Sequence, residues 1–151
     1  MLHVALWEPE IPPNTGNIGR LCAATGATLH LIGRLGFRLD NRSLRRAGLD
    51  YWDHVDLHRH ATLAEFEGEM GSGRIFCFSA HAGRVYTEVR YRPGDCLLFG
   101  GESHGLPASL LERNAEQALR IPMPTNQVRS LNLATAVGIA LYEALRQLHH
   151  W

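Results

Sequence analysis

Two loops gather the residue types that bind and activate small polar ligands. The first is Gly100-Gly101-Glu102-Ser103-His104-Gly105-Leu106-Pro107, after the strand-like run Leu97-Leu98-Phe99. The second is Thr125-Asn126-Gln127-Val128-Arg129-Ser130-Leu131-Asn132-Leu133, which follows Pro122-Met123-Pro124 and opens a long apolar helix. In an open α/β sheet, ligands sit in the crevice beyond the carboxyl ends of the strands. Adjacent glycines let a ligand approach the backbone closely. The two loops are therefore expected to form the site.

Other chemistries compete for the same residues. Gly101-Glu102-Ser103-His104-Gly105 matches the G-x-S-x-G pattern of a nucleophilic serine between a strand and a helix. The partner acid and histidine should follow the serine, yet only His149 and His150 do, at the chain end. No HGGG-type oxyanion segment is present. Asp53, His54, Asp56, His58 and His60 invite a metal test, because alternate positions of a strand share one face. Their spacing matches no recognised zinc pattern. A solvent-facing strand side explains the alternation, and the expectation is that no metal is bound. Neither a G-x-G-x-x-G fingerprint nor a Walker A run occurs.

The elements that must hold these loops alternate between strand and helix. Residues 2–7 read as a buried strand. Residues 11–17 read as a turn cluster, and 16–25 as a helix capped by Asn14 or Thr15 and closed by Gly26. In that helix Ile18, Leu21, Cys22 and Thr25 share a face, and Arg20 lies off it. Strands are expected at 28–32, 54–57, 74–79, 95–99 and 118–121. Helices are expected at 41–47, 61–70, 107–114 and 130–148, and residues 80–93 read as loop. Strand–helix–strand alternation points to a parallel sheet with helical crossovers. The last helix is apolar on two faces, so it is either buried within the monomer or shared with a second copy.

Bulk properties narrow the setting. The chain of 151 residues is 45% apolar and 20% charged, which suits one globular domain over residues 1–151. Fifteen acidic and fifteen basic residues cancel, and every basic residue is arginine. Arg34, Arg38, Arg42, Arg45 and Arg46 crowd one segment that holds a single acid, Asp40, so a phosphate-binding patch is weighed there against a solvated loop. Cys22, Cys77 and Cys96 are odd in number and widely spaced, which suits reduced thiols in the cytoplasm. No leader is read at the start. The most apolar stretch is too short for a bilayer, which takes about 20 residues.

Taken together, three stretches resemble the motifs of the SPOUT RNA methyltransferases. They are Asn14-Thr15-Gly16-Asn17-Ile18-Gly19-Arg20, then 98–107, then Ile121-Pro122-Met123 with Arg129-Ser130-Leu131-Asn132-Leu133. Residues 8–17 and Leu44-Arg45-Arg46-Ala47-Gly48-Leu49-Asp50-Tyr51 are similar to the small branch that 2′-O-methylates the wobble nucleotide, C or modified U, of leucine tRNAs. The likeness implies a parallel sheet flanked by helices with a deep C-terminal trefoil knot. No appended RNA-binding domain is read, and the two apolar faces of the last helix favour a homodimer, which would double the basic surface. The likeness implies S-adenosylmethionine held by Phe78, Gly100, Glu102, Ile121, Ser130 and Leu131. Arg20, Ser130 and Asn132 become the catalytic candidates, and Arg20, Arg45, Arg46 and Arg129 the RNA contacts. Phe78, Gly101 and His104 depart from the family, which favours a smaller aliphatic residue, proline and arginine there. Rival readings are another RNA target, a serine hydrolase using Ser103, and a non-catalytic RNA-binding protein.

Overall fold

The computed structural model describes residues 1–39 and 50–151. The helix expected at 41–47, and with it Arg45 and Arg46, lies outside the described residues. Seven strands form one sheet: β1 (His3–Trp7), β2 (Thr28–Ile32), β3 (Leu57–His60), β4 (Ile75–Phe78), β5 (Arg84–Val85), β6 (Cys96–Gly100) and β7 (Ala118–Arg120). Their spatial order is β3-β2-β1-β6-β4-β7-β5, and neighbouring strands all run parallel. Among the described residues four α-helices accompany them: α1 (Pro12–Thr25), α2 (Leu63–Met70), α3 (Ala108–Arg113) and α4 (Leu133–His149).

Side chains alternate across a strand, so each strand feeds two cores. Val4, Leu6, Leu29, Leu31, Leu97 and Phe99 meet Ile18 and Cys22 of α1 and Val137, Leu141 and Ala144 of α4. Ala5, Ile32, Cys77, Cys96 and Leu98 face the other way, against Phe66 of α2 and Leu110 of α3. Helices on both faces are what a parallel sheet requires.

Local chemistry sets the element ends, sometimes away from the expected place. α1 begins at Pro12, four residues before the expected start, with Ile11 as its cap residue. Proline suits a first helical turn because its missing N–H would be unpaired there anyway. Asn14 is thereby freed for other work. Gly26 closes the helix at φ 75°, as expected. The third strand is displaced: Asp50–His54 is a 3-10 turn and β3 starts only at Leu57. α2 is opened by a reciprocal cap, in which Glu65 N donates to Thr62 Oγ1 (3.2 Å) and Ala61 N donates to Glu65 Oε2 (3.0 Å). The expected loop 80–93 contains the two-residue edge strand β5, too short for a periodicity signal. Asn132 caps α4, its Oδ1 accepting from Thr135 N at 3.1 Å, so the helix starts three residues later than 130. No helix among the described residues is long and apolar enough to cross a membrane.

One ion pair, its carboxylate buried and its arginine side chain 27% exposed, anchors the entry to the central strands. Asp95, 2% exposed, accepts from Arg74 Nε (2.9 Å), Arg74 Nη2 (2.6 Å) and Arg92 N (2.7 Å). Removing one partner of such a pair strands the other charge. Asp95→Ala should destabilise the fold by about 3 kcal/mol, read as a lower urea midpoint at unchanged slope.

Candidate active site

A cavity of about 610 Å³ opens beyond the carboxyl ends of β6, β4 and β7. Its size is that of a cofactor pocket. Phe78, Gly100, Glu102, Ile121, Ser130 and Leu131, all six expected cofactor contacts, line it. Arg129 and Asn132 line it as well. Arg20 does not: it lies exposed on α1, its guanidinium carbon 5.9 Å from the centroid of the Tyr51 ring. Tyr51 is itself fixed, donating from its hydroxyl to Gly16 O at 2.8 Å.

The walls are joined by one carboxylate. Glu102 Oε1 accepts from Glu10 N (2.8 Å), and Oε2 accepts from Ile11 N (2.9 Å) and from Asn14 Nδ2 (3.1 Å). Asn14 Oδ1 in turn accepts from Asn132 Nδ2 at 3.0 Å. The chain Glu102–Asn14–Asn132 thus ties the loop after β6, the start of α1 and the mouth of α4. Asn14 is a participant that sequence reasoning assigned only to capping. Its signal was present as an amide beside two prolines that can open a helix without it.

The β6 loop turns sharply. Gly105 takes φ 63° and its N–H donates to Gly101 O at 2.9 Å. A Cβ on Gly100 would overlap the backbone of Gly105 and Leu106, so the turn tolerates no side chain there. Gly100→Ala should force the loop open and abolish S-adenosylhomocysteine binding, measured by calorimetry on protein shown to be folded by circular dichroism.

Ser103 has a fastening role. Its Oγ donates to Glu10 Oε1 at 2.6 Å, its N–H donates to the same oxygen at 3.0 Å, and His104 Nδ1 lies 3.0 Å from it. The Ser103 hydroxyl and amide, with His104 beside them, hold the Glu10 carboxyl below its usual range. Among the described residues no histidine nitrogen is hydrogen-bonded to Ser103 Oγ, and Ser103 is not one of the residues lining the cavity. The serine–histidine pair of a hydrolase is not assembled there.

The residues fit S-adenosylmethionine. The cavity wall mixes apolar side chains (Phe78, Ile121, Leu131) with amides and hydroxyls, and the bare Gly100 backbone is where a Cβ has no room. The stacked rings of Phe78 and Phe99, 4.5 Å between centroids, supply a rigid apolar floor.

A parallel sheet whose glycine turn and helix mouth enclose a nucleoside-sized cavity suits a group-transfer enzyme. A family model described as the SpoU rRNA methylase family matches residues 1–142, and the chain belongs to that family; it is a methyltransferase. The chain is 48% identical to the tRNA (cytidine(34)-2′-O)-methyltransferase of Escherichia coli strain K12, over 98% of this chain and 94% of that one. A solved structure described as giving insights into the 2-OH methylation of C/U34 on tRNA is 53% identical, with a TM-score of 0.93, covering 100% of this chain and 98% of the other. An AdoMet-bound rRNA methyltransferase from Sinorhizobium meliloti is 32% identical with a TM-score of 0.82, covering 97% of this chain and 56% of that one.

Proposed function

We propose that this chain methylates the ribose 2′-hydroxyl of the wobble nucleotide, C or modified U, in the anticodon loop of leucine tRNAs, using S-adenosylmethionine. The observation that carries the reading is the Glu102–Asn14–Asn132 link, which joins the three motif loops around one cavity. The E. coli relative and the C/U34 structure support position 34. The leucine tRNA set rests on the residues at 8–17 and 44–51 alone.

When bound, the cofactor supplies an electrophilic sulfonium methyl. The protein's part is position and electrostatics. Phe78, Ile121 and Leu131 would enclose the donor, and Glu102 keeps the loop beside it closed. Ser130 and Asn132 stand at the helix mouth, where they would orient the sugar. Arg20, held over Tyr51 outside the cavity wall, would meet the RNA rather than the donor. A guanidinium offers donors and no acceptor, so its task is to orient the 2′-hydroxyl and the adjacent phosphate, which accepts the proton. Arg129 at the cavity mouth, with Arg45 and Arg46, would hold phosphates.

The active form is proposed to be a cytoplasmic homodimer of single-domain chains, with a trefoil knot near the C-terminus. Support for the dimer is the outer stripe of α4: Ala134 and Gly138 are half-buried, nothing stands within 4 Å of a Cβ placed on Gly138, and Tyr142 is 46% exposed. A second copy would add its own arginines to the surface that meets the RNA. Support for the knot is the return of the chain after β7: Ile121, Met123 and Arg129 to Leu133 line the same cavity as the β6 loop, and α4 packs back on α1 and β6.

The test is transfer of tritiated methyl to total tRNA, followed by nucleoside mapping. Label at the 2′-oxygen of nucleotide 34 in leucine tRNAs is expected. Label at another nucleotide, or only in rRNA, overturns the target; no label overturns the reading.

A further inference from the structure

On the opposite side of the sheet edge from α1, β2 and β3 carry a histidine cluster under α2. His30 is 1% exposed and His60 is 8% exposed. The solvent-facing strand side expected from the alternation at 54–60 is therefore corrected at His60. Phe66 stands edge-on to both rings, with centroids at 5.3 and 5.5 Å, and seals that face. Glu69, with its side chain 43% exposed, stands on the solvent side.

Three ligand atoms converge there. His30 Nδ1 and His60 Nε2 are 3.0 Å apart, His60 Nε2 and Glu69 Oε2 are 3.0 Å apart, and His30 Nδ1 and Glu69 Oε2 are 3.5 Å apart. Tetrahedral zinc with bonds of about 2.0–2.1 Å places its ligands about 3.3 Å from one another. The triangle therefore already has the size that such an ion requires. Protons satisfy it poorly. His60 Nε2 bears at most one hydrogen, yet it lies at hydrogen-bond distance from two different atoms. A cation on the open side of the triangle satisfies all three lone pairs at once.

The surrounding groups match what ligating residues need. The second nitrogen of His30, Nε2, is 2.9 Å from His3 Nδ1. The second oxygen of Glu69, Oε1, is 3.0 Å from His58 Nδ1, and His58 Nε2 is 2.9 Å from Asp56 Oδ1. Such partners fix ring orientation and carboxylate position around a metal. Glu69 and Asp56 together balance a divalent charge.

We infer that His30, His60 and Glu69 form a binding site for a divalent transition-metal ion of the zinc type, which staples α2 to the β2–β3 edge of the sheet. Two imidazoles and a carboxylate suit zinc among the common cellular divalent ions, and disfavour magnesium and calcium, which take oxygen ligands. The site lies apart from the cavity at the ends of β6, β4 and β7, and its existence does not depend on the methyl-transfer reading. It replaces the expectation that no metal is bound.

The experiment is titration of zinc chloride into chelator-treated full-length protein by calorimetry, with cobalt(II) as a visible-absorption probe. One zinc per chain is expected, with a tetrahedral cobalt band and a rise in thermal midpoint. Glu69→Gln should weaken zinc binding at least tenfold and remove the rise. Its carboxylate is half-exposed, so this variant decides the question even where His60→Asn fails to fold. Uptake well below one ion per chain overturns the site. So does Glu69→Gln binding zinc as tightly as the parent, since the ion would then sit elsewhere, as on His149 and His150.

Discussion

Arg20→Ala is expected to lower methyl transfer to tRNA about 10²-fold or more, the scale of losing a group that orients a reactant. S-adenosylhomocysteine affinity should stay within about twofold, because an interaction made only in the transition state leaves ground-state binding alone. The split follows from position. Arg20 is not part of the cavity wall; it stands on the exposed side of α1, over the Tyr51 ring. Arg20→Lys refines the test: it keeps the charge and loses the planar fork that grips a phosphate and a hydroxyl together. Turnover near that of the alanine variant would assign the effect to geometry. Normal turnover in Arg20→Ala would remove Arg20 from the reaction altogether. Filter-bound tritium with saturating donor measures the first quantity, and calorimetry the second.

Glu102→Ala is expected to fail differently. The side chain accepts two backbone N–H bonds and one amide bond, at 2.8, 2.9 and 3.1 Å. Hydrogen bonds to charged groups are individually strong, and a donor left without its acceptor costs more than the average bond contributes. Water reaches part of this network, so the loss in stability should be about 2 kcal/mol. Donor affinity should suffer more, by about tenfold or greater, because Asn14 and Asn132 lose the anchor that sets the α4 mouth. Glu102→Gln, which keeps one acceptor oxygen, should fall between the two. Urea melts and S-adenosylhomocysteine calorimetry read the pair. A Glu102→Ala protein with normal donor affinity would show that the loops find their places without the carboxylate.

Much of this arrangement was legible in the residues because it is written at short range. The apolar runs of β2, β4 and β6 are bounded by turn residues, and the glycine at 26 ends α1 where a left-handed residue is needed. The cavity-lining set was legible through the motifs, since glycine, proline and amide positions reflect what the backbone must do there. Other features depend on distant partners. β3 begins at Leu57 because its neighbour on β2 starts at Leu29, a register no local pattern carries. Asn14 reads as a cap until Glu102 and Asn132 arrive from 88 and 118 residues away. The histidine at 60 reads as part of a solvated face because its cover, Phe66, and its neighbour His30 lie on other elements.

The strand order has a consequence for how the chain comes into being. β1 pairs residue for residue with β6, Val4 beside Leu97 and Leu6 beside Phe99. During synthesis β1 can pair with β2 almost at once, but its other edge stays unclaimed until residues 96–100 leave the ribosome. Long-range parallel pairing is slow, and an apolar edge left open invites aggregation. The growing polypeptide therefore passes through a long interval in which half of its eventual core is displayed to the cell. Nascent-chain survival, rather than finished-fold stability, is where overproduction of this protein should first run into difficulty.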